Sequence, residues 1–310
     1  MKFPHNPIPF RDDLNRRSFM STLTKALGST VLLTTAGASD VYSIQYGNEW
    51  TVGQVMDLFI KEVPGAPFGQ TVDTLKSGDR NIRVTGIVTT MFATVEVIRK
   101  AIDLNANFII AHEPTFYNHL DDTSWLADDP VFLFKSDLLK KNNIAVWRNH
   151  DYIHRLTSDG VRAGVVRQLQ WEKFVDAGNP NVFGFPPLSL ATLIEQVKRR
   201  LGIPTVRYIG DLSKSCKKIL LMPGASGGRN QITAIGREKP DVVLCGEVSE
   251  WETAEYVRDA RAKGHDLALV VLGHVASEEP GSAFLAGWLK EKVPGVDATH
   301  IPAGNSLMFA

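Results

Sequence analysis

Three pairs of potential metal ligands stand out in the sequence, each beside a short apolar run. The pairs are His112–Glu113, His150–His154 and His274–Glu278. The first pair is adjacent, and the residues of each other pair are four apart, a spacing that places both side chains on one face of a helix or helical turn. Imidazole and carboxylate groups together suit zinc, manganese, iron or nickel better than calcium or magnesium. The pairs therefore predict a transition-metal site.

The number of these side chains points to more than one ion. A catalytic zinc takes about three ligands from the protein, whereas these pairs offer three or four imidazoles and two carboxylates. Such a set suits two divalent metal ions about 3.5–4 Å apart, bridged by a carboxylate or by water. A single histidine after a strand is more often a hydrogen-bonded capping residue, and only the three pairs together favour a metal.

The elements around the pairs explain how they would meet. His112 directly follows the apolar run 108–111, His150 follows the run 144–147, and His274 follows the run 267–272. Short continuous apolar runs are typical of strands buried on both faces of a sheet. Open parallel sheets bind ligands at the carboxyl ends of their strands, so we expect the three histidines at such an edge.

The order of elements predicts the fold class. Segments predicted as helices, such as 51–63, 93–104, 190–201 and 284–292, alternate with the short apolar runs. This order is typical of parallel sheets with crossover helices. We predict an α/β protein with two α/β lobes and mostly parallel sheets, the metal site lying between the lobes at the strand carboxyl ends. The first lobe is expected over 39–175 and the second over 190–310, with a loop-like linker at 176–189.

Weaker candidates surround the predicted site. Backbone amides of the glycine-rich turn at Gly227 and Gly228 could bind an anion, although the pattern favours a structural turn. Glu247 follows the apolar run 241–245 and is a weak candidate for a catalytic base or for a partner of a ligand. Asp151 could orient His150 or His154.

The first 38 residues have the pattern of an export signal. The paired arginines Arg16 and Arg17 precede a modestly apolar stretch, and Ala36-Gly37-Ala38 supplies a small-x-small cleavage pattern. This resembles a bacterial twin-arginine signal peptide. We therefore expect residues 1–38 to be removed and the remaining chain to be periplasmic or extracellular.

Composition excludes several classes of protein. Lys and Arg together number 34, as do Asp and Glu, so the chain lacks the net positive charge of a general nucleic-acid binder. The two cysteines are too few for a disulfide scaffold or a cysteine-rich metal cluster. No apolar run is long enough for an ordinary membrane-spanning helix. We expect a small-molecule substrate and no nucleic-acid partner.

Four stretches are similar to the Nif-three-like family, dinuclear-metal hexameric proteins also called GTP cyclohydrolase I type 2 homologues. The stretches are 84–116, 143–154, 241–247 and 273–278. His112-Glu113-Pro114 resembles the family's His-His-Pro, and Gly273-His274 with Glu278 resembles its Gly-His-x-x-x-Glu signature. The resemblance extends over about 51–309 and implies a homo-oligomer, a hexamer.

The resemblance also implies a ligand set. It comprises His112, Glu113, His154, His274 and Glu278, with His150 in or near the coordination shell. Two positions depart from the family pattern, because Glu113 stands for a histidine and His154 for an aspartate. The exchange keeps three imidazoles and two carboxylates, which indicates a rebuilt site, and we expect the two positions to act as one unit.

Two classes of function follow from these observations. The first is a two-metal hydrolase acting on a phosphoester, a nucleotide or a cyclic amide, as the resemblance implies. The alternative is a non-catalytic protein, either a metal-dependent scaffold or binding protein or a metal-storage protein. An open coordination position would favour the hydrolase, and readily exchangeable metal would favour storage.

Overall fold

The computed structural model describes residues 49–308, in which short strands alternate with helices as predicted. The predicted signal peptide, residues 1–38, lies outside the described residues. The strands are β1 (Leu75–Ser77), β2 (Ile87–Thr90), β3 (Phe108–Ala111), β4 (Ala145–Arg148), β5 (Val182–Ser189), β6 (Arg207–Ile209), β7 (Ser215–Met222), β8 (Val242–Cys245), β9 (Ala268–Val271) and β10 (Ala298–His300). The α-helices are α1 (Val52–Ile60), α2 (Val95–Asp103), α3 (Pro130–Lys141), α4 (Asp151–His154), α5 (Gly160–Leu169), α6 (Leu190–Leu201), α7 (Gly228–Glu238), α8 (Glu255–Ala262) and α9 (His274–Lys292).

The strands form two five-stranded sheets of mostly parallel strands, which confirms the predicted fold class. The first sheet has the order β1-β4-β3-β2-β10, in which only β1 runs antiparallel to its neighbour. The second has the order β5-β7-β8-β9-β6, with parallel central strands and antiparallel edges. In the first sheet, Ala111 at the end of β3 lies opposite Arg148 at the end of β4. The residues that follow these two strands therefore emerge side by side.

Both faces of each sheet are covered. The central strands β2, β3, β4, β8 and β9 are buried along their whole length. Alternate residues of each strand enter different clusters: Phe108 and Ile110 join the cluster that includes α1 and the end of α9, and Ile109 joins the one that includes α2. This explains why the strands read as continuous apolar runs in the sequence.

Local signals define several helix starts. Thr51 and Gln54 form a reciprocal capping box at the start of α1, the arrangement in which each side chain accepts from the other's backbone N–H. Asp129 caps α3, and Asp159 caps α5 by accepting from the N–H of Arg162. The aspartate at the start of α5 has a second role in the site described below.

Two strands depart from the lobe boundaries expected from the sequence, and the division into lobes itself stays a prediction. Val182–Ser189 lies within the expected linker, yet it is β5, because Val182 and Phe183 are buried against β7. Ala298–His300 lies within the expected second lobe, yet as β10 it pairs with β2 of the first sheet. The chain therefore returns to the first sheet near its end.

Helix α9 makes that return. It begins at His274, ten residues before the helix expected from Phe284, and contains Pro280. It packs on α5, β2 and β10, and the carbonyl of Ser282 accepts a hydrogen bond from Thr89 on β2. Within residues 49–308, no helix combines the length and apolar character needed to cross a bilayer.

Candidate metal centre

The carboxyl ends of the two sheets supply the candidate ligands. His112 and Glu113 directly follow β3, and His150 lies two residues after β4. His274 and Glu278 lie one turn apart on α9, which follows β9. His274 Nε2 lies 3.2 Å from Glu113 Oε1 and so joins residues that follow different sheets.

Two groups of three side chains have the spacing of metal ligands. One group is His112, His150 and His154, and the other is His112, Glu113 and Glu278; within each, one ligand atom per residue lies within 4.8 Å of the others. The three imidazole rings of the first group have centroids 4.8–5.1 Å apart. His112 belongs to both groups, so they form one continuous centre.

His274 completes the centre. Its Nε2 lies 3.0 Å from Glu278 Oε2, and the same carboxylate oxygen lies 3.4 Å from His112 Nε2. His150 Nε2 approaches Glu113 Oε1 at 3.8 Å. The structure thus brings together all six side chains that the sequence singled out as potential ligands, from positions more than 160 residues apart in the chain.

The exchanged residues Glu113 and His154 belong to different groups. Glu113 contacts His150 and His274, whereas His154 packs against the rings of His112 and His150. The two share the centre through His112 rather than through a direct contact. Their expected action as one unit stays a prediction.

Every histidine of the centre has its Nδ1 beside an oxygen acceptor. His112 Nδ1 lies 3.3 Å from the carbonyl of Asn149, and His274 Nδ1 lies 2.8 Å from Glu247 Oε1. Acceptors at Nδ1 favour the tautomer that carries the proton there. The lone pair of Nε2 is then free for a metal, as in most histidine–metal sites.

His150 and His154 also have an oxygen acceptor at Nδ1. Asp151 Oδ1 lies 3.1 Å from His150 Nδ1, and Asp159 Oδ2 lies 3.0 Å from His154 Nδ1. Asp151 therefore orients His150, one of the two alternatives that the sequence left open. Asp159 accepts from His154 with one oxygen while its other oxygen caps α5. All four histidines thus have an acceptor at Nδ1, which leaves Nε2 as the nitrogen that would bind a metal.

The buried Nε2 atom of His112 indicates whether these residues fit a metal. Nε2 of His112 has no solvent contact and no hydrogen bond of acceptable geometry to any described residue, although Glu278 Oε2 lies 3.4 Å away. Leaving such an atom unpaired costs about 1–3 kcal/mol. A metal ion bound at Nε2 would satisfy it, so the residues fit a transition metal.

The two buried carboxylates control the protonation of His274. Burial alone would lower the pKa of His274, but its hydrogen bonds with Glu113 and Glu278 outweigh burial and raise that pKa to about 10. Burial would raise the pKa of both glutamates, yet the neighbouring imidazoles hold each pKa below its ordinary value. A proton on His274 therefore provides positive charge between the carboxylates.

The pKa values of His150 and His154 are shifted in opposite directions. Burial and the neighbouring His112 lower the pKa of His150 to about 4. Burial would also lower the pKa of His154, but its hydrogen bond to Asp159 and the negative charge of that carboxylate outweigh burial and raise the pKa. His150 is therefore neutral and ready to bind a metal at neutral pH.

A buried aspartate fixes the turn that carries His150. Asp73 accepts hydrogen bonds from the backbone N–H groups of His150, Asp151 and Tyr152 at 2.7–3.0 Å. These are the free N–H groups at the start of α4, so one carboxylate anchors the whole turn. Asp73 is distant in sequence and carries no motif, so no sequence pattern indicates this role.

Other supporting residues were also missed. Asp159, Asn149 and Arg148 each contact a ligand or its backbone. The exposed His119 lies with its ring centroid 6.0 Å from that of His150. Only His119, as a histidine shortly after the first pair, offered a signal in the sequence.

The weaker sequence candidates have distinct places. Glu247 hydrogen-bonds to His274 and therefore orients a candidate ligand. The Cβ position of Gly228 faces the carboxylate side chain of Glu252, and no atom lies within 4 Å of that of Gly227. A carboxylate beside this turn does not favour an anion, and the anion role of Gly227 and Gly228 stays a prediction.

Sequence comparisons identify proteins that are similar to this chain. The profile of the family described as Duf34/NIF3 (NGG1p interacting factor 3) matches residues 66–304. The chain is 26% identical over 223 residues to "GTP cyclohydrolase 1 type 2 homolog" of Clostridium acetobutylicum, covering 68% of this chain and 79% of that protein. A protein of the same name from Clostridium perfringens is 26% identical over 233 residues, covering 71% and 83%.

Solved structures share the fold. A hypothetical protein of Staphylococcus aureus superposes with a TM-score of 0.67 at 18% identity, covering 85% of this chain and 99% of that one. A Bacillus cereus protein related to NIF3 gives a TM-score of 0.66 at 16% identity, covering 84% and 99%. At this identity the likeness concerns the fold alone.

Proposed function

The chain belongs to the Duf34/NIF3 family, and on that premise we propose that its histidine and glutamate cluster binds two divalent metal ions and hydrolyses a small molecule. The observation that carries the proposal is the common orientation of four histidines. Each has an acceptor at Nδ1, and Nε2 of His112, His150 and His274 lies beside the carboxylate of Glu113 or Glu278. Hydrogen-bonded core histidines would not be expected to share this arrangement.

The ligand count supports two ions. Four imidazoles and two carboxylates exceed the roughly three protein ligands of one catalytic zinc. They divide into two groups that meet at His112. The carboxylate of Glu278, which lies near both His112 and His274, would suit a position shared by the two ions. Zinc, manganese, iron and nickel all fit this ligand chemistry.

Solvent access favours a hydrolase over a closed structural site. The side chains of His112 and Glu278 are only 5–6% exposed, whereas those of His150 and His154 are 24% and 30% exposed. The centre is therefore buried on one side and open on the other. Catalytic metal sites keep such an open position for water or substrate, and structural sites are closed.

Divalent ions bound there would lower the pKa of a bound water and polarise a phosphoryl or carbonyl oxygen of the substrate. The residues of this chain would orient the ligands and move protons at the solvent-exposed side of the centre. Glu247 holds His274 in place, and the exposed imidazole of His119 stands beside His150 as a proton donor or acceptor. The substrate classes that we propose are phosphoesters, nucleotides and cyclic amides.

The experiment is a comparison of metal-loaded and chelated protein. The purified chain is analysed for bound metals and then assayed with p-nitrophenyl phosphate, purine nucleotides and cyclic amides. Hydrolysis that disappears with chelator, returns with added zinc or manganese and is lost in His112→Ala would support the proposal. Bound metal that exchanges freely without any hydrolysis would favour the alternative, a metal-storage or scaffold protein.

We further propose that the protein is exported through the twin-arginine route and forms a homo-oligomer, a hexamer. An exported protein meets little GTP, which disfavours GTP as its substrate. Replacing Arg16 and Arg17 with lysines should leave the precursor in the cytoplasm of a bacterial host. Export of that variant at the wild-type level would contradict the signal proposal.

A further inference from the structure

Arg148 is a fully buried cation directly behind the centre. It is the last residue of β4, and its side chain is 0% exposed. A buried charge is tolerated only when it is paired and hydrogen-bonded, and apolar residues of similar size often stabilise a protein equally well. Stability alone therefore does not explain an arginine at this position.

The guanidinium contacts one oxygen of a candidate ligand. Arg148 Nη2 donates to Glu113 Oε2 at 3.1 Å. The other oxygen, Oε1, lies 3.2 Å from His274 Nε2 and 3.8 Å from His150 Nε2. The two oxygens of Glu113 thus face different partners, and Oε1 is the one directed toward the candidate ligands.

Further contacts hold the guanidinium in place. Its Nε donates to the carbonyl of His112 at 3.4 Å, and its Nη1 donates to the carbonyl of His119. Nη1 also lies 3.6 Å from Asp121 Oδ2, which is 3.3 Å from Lys76 Nζ. The arginine therefore ties both ends of the segment 112–119 and is fixed from several directions.

We propose that Arg148 is a positioning residue that makes Glu113 a one-oxygen ligand. Because the guanidinium engages Oε2, the carboxylate presents Oε1 to an ion and does not chelate it with both oxygens. The inference rests on the proposed metal centre. It assigns to this arginine a role in metal affinity that acts through Glu113.

A double-mutant cycle tests this dependence. The four proteins are the wild type, Arg148→Met, Glu113→Gln and the double variant, and zinc affinity is measured by competition with a chelator. We expect Arg148→Met to weaken zinc binding about 10–100-fold, the effect typical of lost partners of metal ligands. In the Glu113→Gln background the same change should have little further effect, because the residue through which it acts is altered.

Equal losses in both backgrounds, or no loss in either, would overturn the inference. Lys76→Met is the matched control, since it removes another buried cation of the same network that touches Asp121 and not Glu113; its zinc affinity should equal that of the wild type. If Arg148→Met does not fold, Arg148→Lys carries the same cycle, with a smaller loss expected. A wild-type chain that binds no zinc would overturn the metal centre itself, which is a different failure.

Discussion

At the scale of single residues, the acceptors at Nδ1 decide which nitrogen of each histidine would be free to bind the proposed metal. Asp159 is the most informative of them, because its two oxygens have separate tasks. Oδ1 caps α5 at the N–H of Arg162, and Oδ2 accepts from His154. A change at Asp159 can therefore alter the histidine while the helix cap remains.

Asp159→Asn should weaken metal binding without unfolding the protein. The amide keeps an oxygen for the cap, but its NH₂ group favours a lone pair at His154 Nδ1 and thus a proton at Nε2. We expect zinc affinity to fall about 10–100-fold, measured by chelator competition. The matched control is Asp129→Asn, the cap of α3, which has no contact with the centre. Equal affinities of both variants would contradict the role of Asp159.

The stability of the metal-free protein should depend on pH through His274. The ordinary histidine pKa is 6.5, and in the folded protein the neighbouring glutamates raise it to about 10. The folded state therefore retains a proton that the unfolded state loses between these values. The stabilisation is fully present below about pH 6.5 and is lost as pH rises toward 10.

Urea unfolding of the metal-free wild type and His274→Gln checks this sign. The difference in unfolding free energy between the wild type and His274→Gln should shrink steadily from pH 6.5 to pH 10. Metal binding must displace the same proton, so zinc affinity should rise over this range. A difference that does not change with pH would show that the histidine is not protonated in the folded state.

At the scale of elements, the contact between α5 and α9 links the two sides of the centre. α9 carries His274 and Glu278, and the cap of α5 holds His154. The helices approach so closely that a Cβ at Gly164 would collide with the carbonyl of Pro280. Glycine is required at this crossing.

Gly164→Ala should lower the unfolding free energy by about 1–3 kcal/mol, the usual effect of overpacking. The control is Gly236→Ala on the exposed face of α7, where no atom lies within 4 Å of the Cβ position. Removing a helical glycine there should stabilise the protein by about 0.5–1 kcal/mol. Chemical denaturation measures both; a neutral Gly164→Ala would contradict the close packing.

The same elements show what the sequence could predict. Buried strands form continuous apolar runs, and amphipathic helices such as α1, α2 and α6 have periodic apolar residues. Both patterns are visible in the sequence, so these elements lie close to their predicted bounds. The start of α9 was missed because its buried residues, among them Ser277, Pro280, Gly281 and Ser282, form no apolar stripe. The short strand β10 joins the first sheet through tertiary pairing, which local sequence does not encode.

The candidate site also contains residues that the sequence predicts and residues that it does not. The six ligand candidates were predictable because histidine and glutamate pairs are chemically distinctive and recur after strands. Asp73, Asp159 and Arg148 were not, because their partners come from other segments of the chain. Only the folded structure reveals which carboxylate faces which imidazole.

At the scale of the whole molecule, we predict a hexamer at micromolar concentration. The expectation comes from the resemblance to the family, and the covered faces of both sheets leave loops and helices to form the contacts. Light scattering on the purified chain measures the mass directly. A monomer at this concentration would contradict the predicted assembly.

The central claim is that six side chains from both sheets form one centre for two metal ions. The most direct test is the number of zinc ions bound per chain, measured by elemental analysis and titration for the wild type, His112→Ala and the control His265→Ala on the exposed surface. We predict two ions for the wild type and the control, and one or none for His112→Ala, because His112 belongs to both ligand groups. A wild type without bound zinc, or a His112→Ala variant that still binds two ions with unchanged affinity, would contradict the account.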